Sequence, residues 1–146
     1  MEERLGRLLA MSAKVAREHF DADLSEVGSS LNTFVLLKQA RLLPGVSQRQ
    51  LAQQLGIEGP TLTHHLDRLV AQGLVHRIRS REDRRVWSVE LTDAGRAHLD
   101  RVEAHANRLD AEFRGLFSPD EVEVLFTCLN RIRDHFRKEA DVFDSH

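Results

Sequence analysis

Five arginines fall within nine residues: Arg77, Arg79, Arg81, Arg84 and Arg85, with Glu82 and Asp83 the only acids among them. Guanidinium groups this dense repel one another unless an anion lies between them, so the run predicts a polyanionic partner. Read alone, it would equally be a solvated loop. Directly before it, Thr61, Thr63, His64, His65 and Arg68 lie off the apolar stripe of a short helical segment whose inward residues are Leu62, Leu66, Leu69 and Val70. Their short hydrogen-bonding groups suit base edges and phosphates in a major groove. His76 adds a further polar group. The net charge is only −2, but residues 41–96 hold nine Lys and Arg against six Asp and Glu. The flanks are acidic, with five against six over 1–40 and seven against eleven over 97–146.

Several elements must position these groups. Leu5, Leu8, Leu9, Val15, Ala16 and Phe20 predict a first helix from about Glu3 to Asp23. Ser30 to Leu43 reads as a second, stopped by Pro44-Gly45. Ser47 and Gln50 have capping-box spacing and open a short helix that turns Leu51, Ala52 and Leu55 inward. Gly56 suits its left-handed cap, and Gly59-Pro60 opens the next helix, which Gly73 ends. A capped helix, a three-residue turn and a second helix make a helix-turn-helix. From Leu74 to Leu91 the period becomes two, with Trp87, Val89 and Leu91 alternating with Ser88 and Glu90, so the chain reads as a β-hairpin whose charged tip is Arg79–Arg85. The expected fold is mainly α with a small β-hairpin wing, a winged helix-turn-helix joined to a helical dimerisation domain.

Thr92 is the expected cap of a long helix in which Leu99, Val102, Ala106, Leu109, Phe113 and Leu116 are spaced three and four apart. Ser118-Pro119-Asp120-Glu121 opens another, with Val122, Leu125, Leu129, Ile132 and Phe136 in the same rhythm. Seams of this kind need helical partners. An intramolecular hairpin or an interface shared between two chains would satisfy them, and the second is favoured.

The stretch Leu51–Val75, with Asp83-Arg84-Arg85 and Val89–Arg96, resembles the MarR family of bacterial transcription regulators, closest to its SlyA-like branch. The likeness runs from Leu5 to about Lys138. It implies a homodimer on double-stranded DNA, with the helix Gly59–Gln72 in the major groove and a wing arginine in the minor groove. It implies dimerisation through residues 1–28 and 93–146 and a DNA-binding lobe over residues 30–92. It also implies that Asp83 orients Arg85 by an ion pair. An arginine at a hairpin tip fits a narrow A·T-rich minor groove, where the negative potential is enhanced. Arg77 and Arg84 join the expected DNA-binding residues, Arg77 as a phosphate contact. The resemblance further implies a small aromatic carboxylate or phenolic effector, bound between the first two helices, the base of the lobe and the fifth helix. Arg17, His19, Phe20, Asn32 and Phe34 are the candidates, with Arg17 the cation for a carboxylate. Phe20 and Phe34 would equally serve as plain core. The sequence departs from SlyA-like relatives at His64, where they carry arginine. Histidine lacks the guanidinium fork that reads guanine, so the operator is not transferable.

Other classes fit less well. Gly-rich phosphate loops, nucleophile elbows and paired-histidine helix motifs are absent, so no catalytic residue and no cofactor is expected. One cysteine, Cys128, excludes an internal disulfide and a cysteine zinc framework. Cys128 reads as a small buried residue, with oxidation sensing or a cross-subunit disulfide the alternative. His98 and His105 stand about 10 Å apart along a helix, too far to share a metal ion. No signal peptide or membrane span is expected, which places the chain in the cytoplasm. A winged-helix module for protein contact would predict an acidic or apolar recognition face, which this is not.

Overall fold

The computed structural model describes residues 2–143, with side chains described through residue 137. The elements are α1 (Leu5–Ser25), α2 (Leu31–Leu42), α3 (Gln48–Leu55), α4 (Gly59–Ala71), β1 (Val75–Arg79), β2 (Trp87–Leu91), α5 (Asp93–Arg114) and α6 (Pro119–Phe143). The chain divides into two compact units between Ala106 and Asn107.

In the first unit, local chemistry sets the helix ends. The Ser30 hydroxyl accepts from the Thr33 amide and caps α2. Ser47 and Gln50 form the reciprocal capping box of α3, and Gly56 closes that helix at φ 65°. Gly73, at φ 71°, ends the turn that leads from α4 into the hairpin. The strands pair antiparallel, Val75 opposite Leu91 through Arg79 opposite Trp87. A bridge from Ser47 to Ser88 ties the wing to the start of α3. One core holds the unit together: Leu36 and Leu37 of α2, Leu51 of α3, Leu62, Leu66 and Leu69 of α4, then Val75, Val89, Leu91 and Leu99. Each such side chain contributes about 1.5–3 kcal/mol by burial. The architecture is therefore mainly helical with a two-stranded wing, a winged helix-turn-helix.

Val70 departs from expectation: it is exposed, whereas Leu62, Leu66 and Leu69 are buried. At 3.6 residues per turn it lies about 80° around the helix from Leu62, at the edge of the stripe.

The start of α5 is locked onto the wing. Thr92 donates its hydroxyl to the Gly73 carbonyl at 2.6 Å and accepts the Gly95 amide at 2.9 Å. Gly95 lies against the Leu74 backbone, leaving no space for a Cβ. Farther along α5, Asp100 and Glu103 hold the α2 cations. Arg41 bonds Asp100 at 2.9 Å and Glu103 at 2.6 Å, and Lys38 also bonds Glu103. The two cations hold the Glu103 carboxyl below its usual range, Lys38 contributing most.

The second unit is the end of α5 and α6. Ser118 and Glu121 form the expected capping exchange, at 3.2 Å and 2.8 Å. Arg114 lies over the Phe126 ring. Leu116, Leu125, Leu129 and Phe136 of the two seams are exposed in the single chain. Cys128 is also exposed, contrary to its reading as a buried residue, because α6 is largely uncovered within this unit. In the first unit, Leu5, Leu8, Met11 and Val15 of α1 are likewise exposed.

Candidate nucleic-acid interface

The leucine stripe of α4 faces the core, which turns Thr61, His64 and Arg68 to solvent along one side of the helix. Thr63 and His65 are half-buried. The Thr63 hydroxyl donates to the Gly59 carbonyl at 3.1 Å and accepts from Gln48 Nε2 at 2.9 Å, so it joins the two helices of the motif. The rings of His64 and His65 are 6.1 Å apart. Burial, and then the neighbouring His64 and Arg68, lower the His65 pKa.

The wing tip is closed by its own backbone. Ser80 donates to the Val86 carbonyl at 2.9 Å, and Val86 to the Asp83 carbonyl at 3.0 Å. Asp83 accepts three bonds from one neighbour: the Arg85 amide at 3.0 Å, its Nε at 3.1 Å and its Nη2 at 3.2 Å. The side-chain bond is the larger cause, the amide the second, of an Asp83 carboxyl held below its ordinary value. Arg85 remains 91% exposed while its direction is fixed. Arg84 is exposed beside it. Arg79 donates Nε to the Arg84 carbonyl and stacks 5.3 Å from the centre of the Trp87 ring. The guanidinium crowding expected from the sequence is relieved by an acid, a carbonyl and an aromatic face.

Arg77 is directed differently. Its Nη1 donates to Asp67 Oδ1 at 2.6 Å and its Nη2 to the Thr63 carbonyl at 3.1 Å. Its side chain is 22% exposed, turned onto α4. Asp67 was not singled out from the sequence. Its signal is that it is the one acid between Glu58 and Glu82, on a helix expected to face a polyanion.

A cleft opens on the other flank of α4. Asn32, Thr33 and Leu36 of α2 line it with the capping Ser30, and His65, Arg68 and Leu69 of α4 with Gln72 at its end. Of the residues expected around an effector, Asn32 lines this cleft and Arg17 bonds its side-chain oxygen at 2.9 Å. Phe34 packs against the hydrophobic core. His19 is exposed on α1 and Phe20 half-buried, and neither lines the cleft. Among the described residues, no three His, Cys, Asp or Glu side chains are grouped to hold a metal ion. His98 is buried, which lowers its pKa. His105 lies 3.4 Å from Asp23. Also among the described residues, no helix is long and apolar enough to cross a membrane.

Residues 30–87 match the MarR family model. The chain is similar to the transcriptional repressor CouR solved on a 23-mer DNA duplex, at 32% identity and a TM-score of 0.83, covering 89% of this chain and 92% of that one. It is similar to a mutant MarR from E. coli complexed with operator DNA, at 28% identity and a TM-score of 0.82, over 88% and 92% of the two chains. S. aureus MepR, in a DNA complex, shares the fold at 19% identity, with a TM-score of 0.85 and coverage of 92% and 99%. The exposed polar face of α4, the arginine-rich wing and these likenesses lead to one conclusion: the chain belongs to the MarR family of DNA-binding transcriptional regulators.

Proposed function

We propose that the protein is a repressor that binds a pseudo-palindromic operator as a homodimer in the cytoplasm. The observation that carries this reading is the joint geometry of α4 and the wing. Thr61, His64 and Arg68 stand exposed on a helix whose opposite side is core, and Arg85 projects from the tip on its Asp83 brace. In this reading α4 enters the major groove, Thr61, Thr63, His64, His65 and Arg68 supply base and phosphate contacts, and Arg84 and Arg85 engage the minor groove and its phosphates. The motif of α4 and the wing supports a reading nearest the SlyA-like branch, with its own operator because of His64.

Residues 30–92 form the DNA-binding lobe, and residues 1–28 and 93–146 the dimerisation region. The exposed apolar side chains of α1 and, separately, of α6 support a second copy as their cover. A small aromatic carboxylate or phenolic acid is the proposed effector. Arg17, placed by Asn32 beside the α2–α4 cleft, is the cation for its acid group. Because His65 and Arg68 line the same cleft, such a ligand would compete with DNA for recognition-helix side chains.

Selection of bound duplexes from a random pool tests the reading. The expected enrichment is an inverted pair of half-sites with centres about 10 base pairs apart or a multiple of that. A pool that gains no sequence preference overturns it.

A further inference from the structure

We propose that Arg77 and Asp67 form a clasp that fixes the recognition helix to the wing, making Arg77 a positioning residue for operator binding and not a phosphate contact. The inference rests on the operator binding proposed above. It also assigns a role to Asp67, which the DNA-binding face leaves unexplained.

The grip is on the α4 backbone as well as on a side chain. Arg77 reaches from the middle of β1 and spans one helical turn, from the Thr63 carbonyl to the Asp67 carboxylate. A backbone carbonyl has two lone pairs, so Thr63 can hold its place in the helix and still accept Arg77. Thr63 is itself anchored to Gln48 of α3. The clasp therefore ties the wing strand to a point shared by both helices of the motif.

Helix and strand join at Gly73, φ 71°, where the Leu74 amide bonds the Leu69 carbonyl at 2.9 Å and Val75 shares the core with α4. These contacts hold the base of the hairpin close to the end of α4. The clasp adds an attachment farther back along α4, which stiffens the angle between helix and strand. Side chains in two different grooves require this angle to be set before binding, or its ordering opposes association.

Charge separates this account from the obvious alternative. Asp67 is 60% exposed on a helix that faces phosphates, where an acid opposes binding. If Arg77 left Asp67 to take a phosphate, Asp67→Ala would release Arg77, remove a repulsive charge and tighten binding. If the clasp sets the interface, the same substitution weakens binding despite the more favourable net charge. Alanine is the best helix former, so α4 itself is not impaired.

The test compares wild type, Asp67→Ala and Arg77→Met on the selected operator and on an unrelated duplex, each across a salt series. The clasp predicts operator affinity reduced about tenfold or more in both variants, the order for a lost charge-assisted hydrogen bond. Binding to the unrelated duplex should change much less. The slope of log K against log salt should stay at the wild-type value in Arg77→Met. Tighter operator binding by Asp67→Ala overturns the proposal, as does a slope reduced by about one per half-site in Arg77→Met. Hydrogen exchange of the DNA-free protein supplies an arm independent of the operator. Asp67→Ala should lower protection of the β1 and β2 amides while the α2 amides keep theirs, and unchanged protection of the hairpin overturns the clasp. Should Arg77→Met fail to fold, Asp67→Ala decides alone. Failure of the wild type to prefer any duplex would instead refute operator binding, and exchange would still judge the clasp.

Discussion

Replacing Arg85 by alanine should separate the wing's role from the stability of the fold. The side chain is 91% exposed and makes its hydrogen bonds to Asp83, so its removal leaves no cavity and no buried group unpaired. The melting temperature should hold, and any loss of affinity then belongs to DNA contact. An arginine that reads its groove contributes about 1–3 kcal/mol, so two half-sites lose about 2–6 kcal/mol, roughly thirty-fold to twenty-thousand-fold in Kd. Asp83→Ala should lose less. It frees Arg85 to sample wrong directions but also removes an acid near phosphate, and the two effects oppose each other. The bonds from Arg85 hold the Asp83 carboxyl below its ordinary value of 3.8, so the brace stays charged from pH 6 to 8. Its contribution should therefore be constant over that range. The assay is anisotropy of a labelled operator at fixed ionic strength, repeated with the A·T pairs under the wing changed to G·C. Wild type should lose affinity on that change and Arg85→Ala should be nearly indifferent to it. Equal affinities for both variants and wild type, with intact helical signal, would refute the wing assignment.

Three further outcomes follow from the same geometry. Leu129→Asp places a charge on α6 at a residue 44% exposed in the single chain, so the variant should fold yet sediment near the chain mass of 16.7 kDa, while wild type sediments near twice that; equal sedimentation of the two would remove α6 from the interface. Operator affinity should rise as pH falls from about 8 to 6, because burial lowers the pKa of His65 in the free protein while nearby phosphate favours its charged form, so the complex binds more protons; His65→Gln should remove this effect, and a flat profile in wild type would place that ring away from DNA. Glu103→Gln should cost about 1 kcal/mol or less at pH 7, as expected for a partly exposed ion-pair network; the folded carboxyl is depressed below 4.5, so the stabilisation is present above that value and is lost as pH falls through the folded pKa, and urea unfolding should show a smaller deficit of the variant at pH 3 than at pH 7.

Local chemistry and periodicity carry information over about ten residues, and features on that scale were legible in the chain. Ser47 and Gln50 sit three residues apart and could be read as a capping box. Gly56 and Gly73 marked helix ends because left-handed backbone disfavours a Cβ. Leu62, Leu66 and Leu69 showed which side of α4 is core, and so which side is free. Asp83 and Arg85 are two residues apart, close enough for the family motif to suggest their pairing.

Only the tertiary structure decided which charged groups are already spent on one another. Arg77 and Arg85 are of one residue type, eight positions apart in one hairpin, and the sequence assigns both to DNA. The fold turns Arg77 onto Asp67 and the Thr63 carbonyl and leaves Arg85 projecting. Strand register determines this: Arg77 lies opposite Val89, within the paired part of the hairpin and beside α4, whereas Arg85 is in the tip beyond the last pair. In the same way, the α2–α4 cleft unites Asn32 with His65 and Arg68 across more than thirty residues. A residue's neighbours at that separation depend on how helices cross, which no local pattern encodes. The apolar seam residues of α6 illustrate the complementary case. Their spacing announced a need for partners, and the single chain leaves many of them exposed. Burial is a property of the whole packed assembly, so periodicity can state the need without naming what meets it.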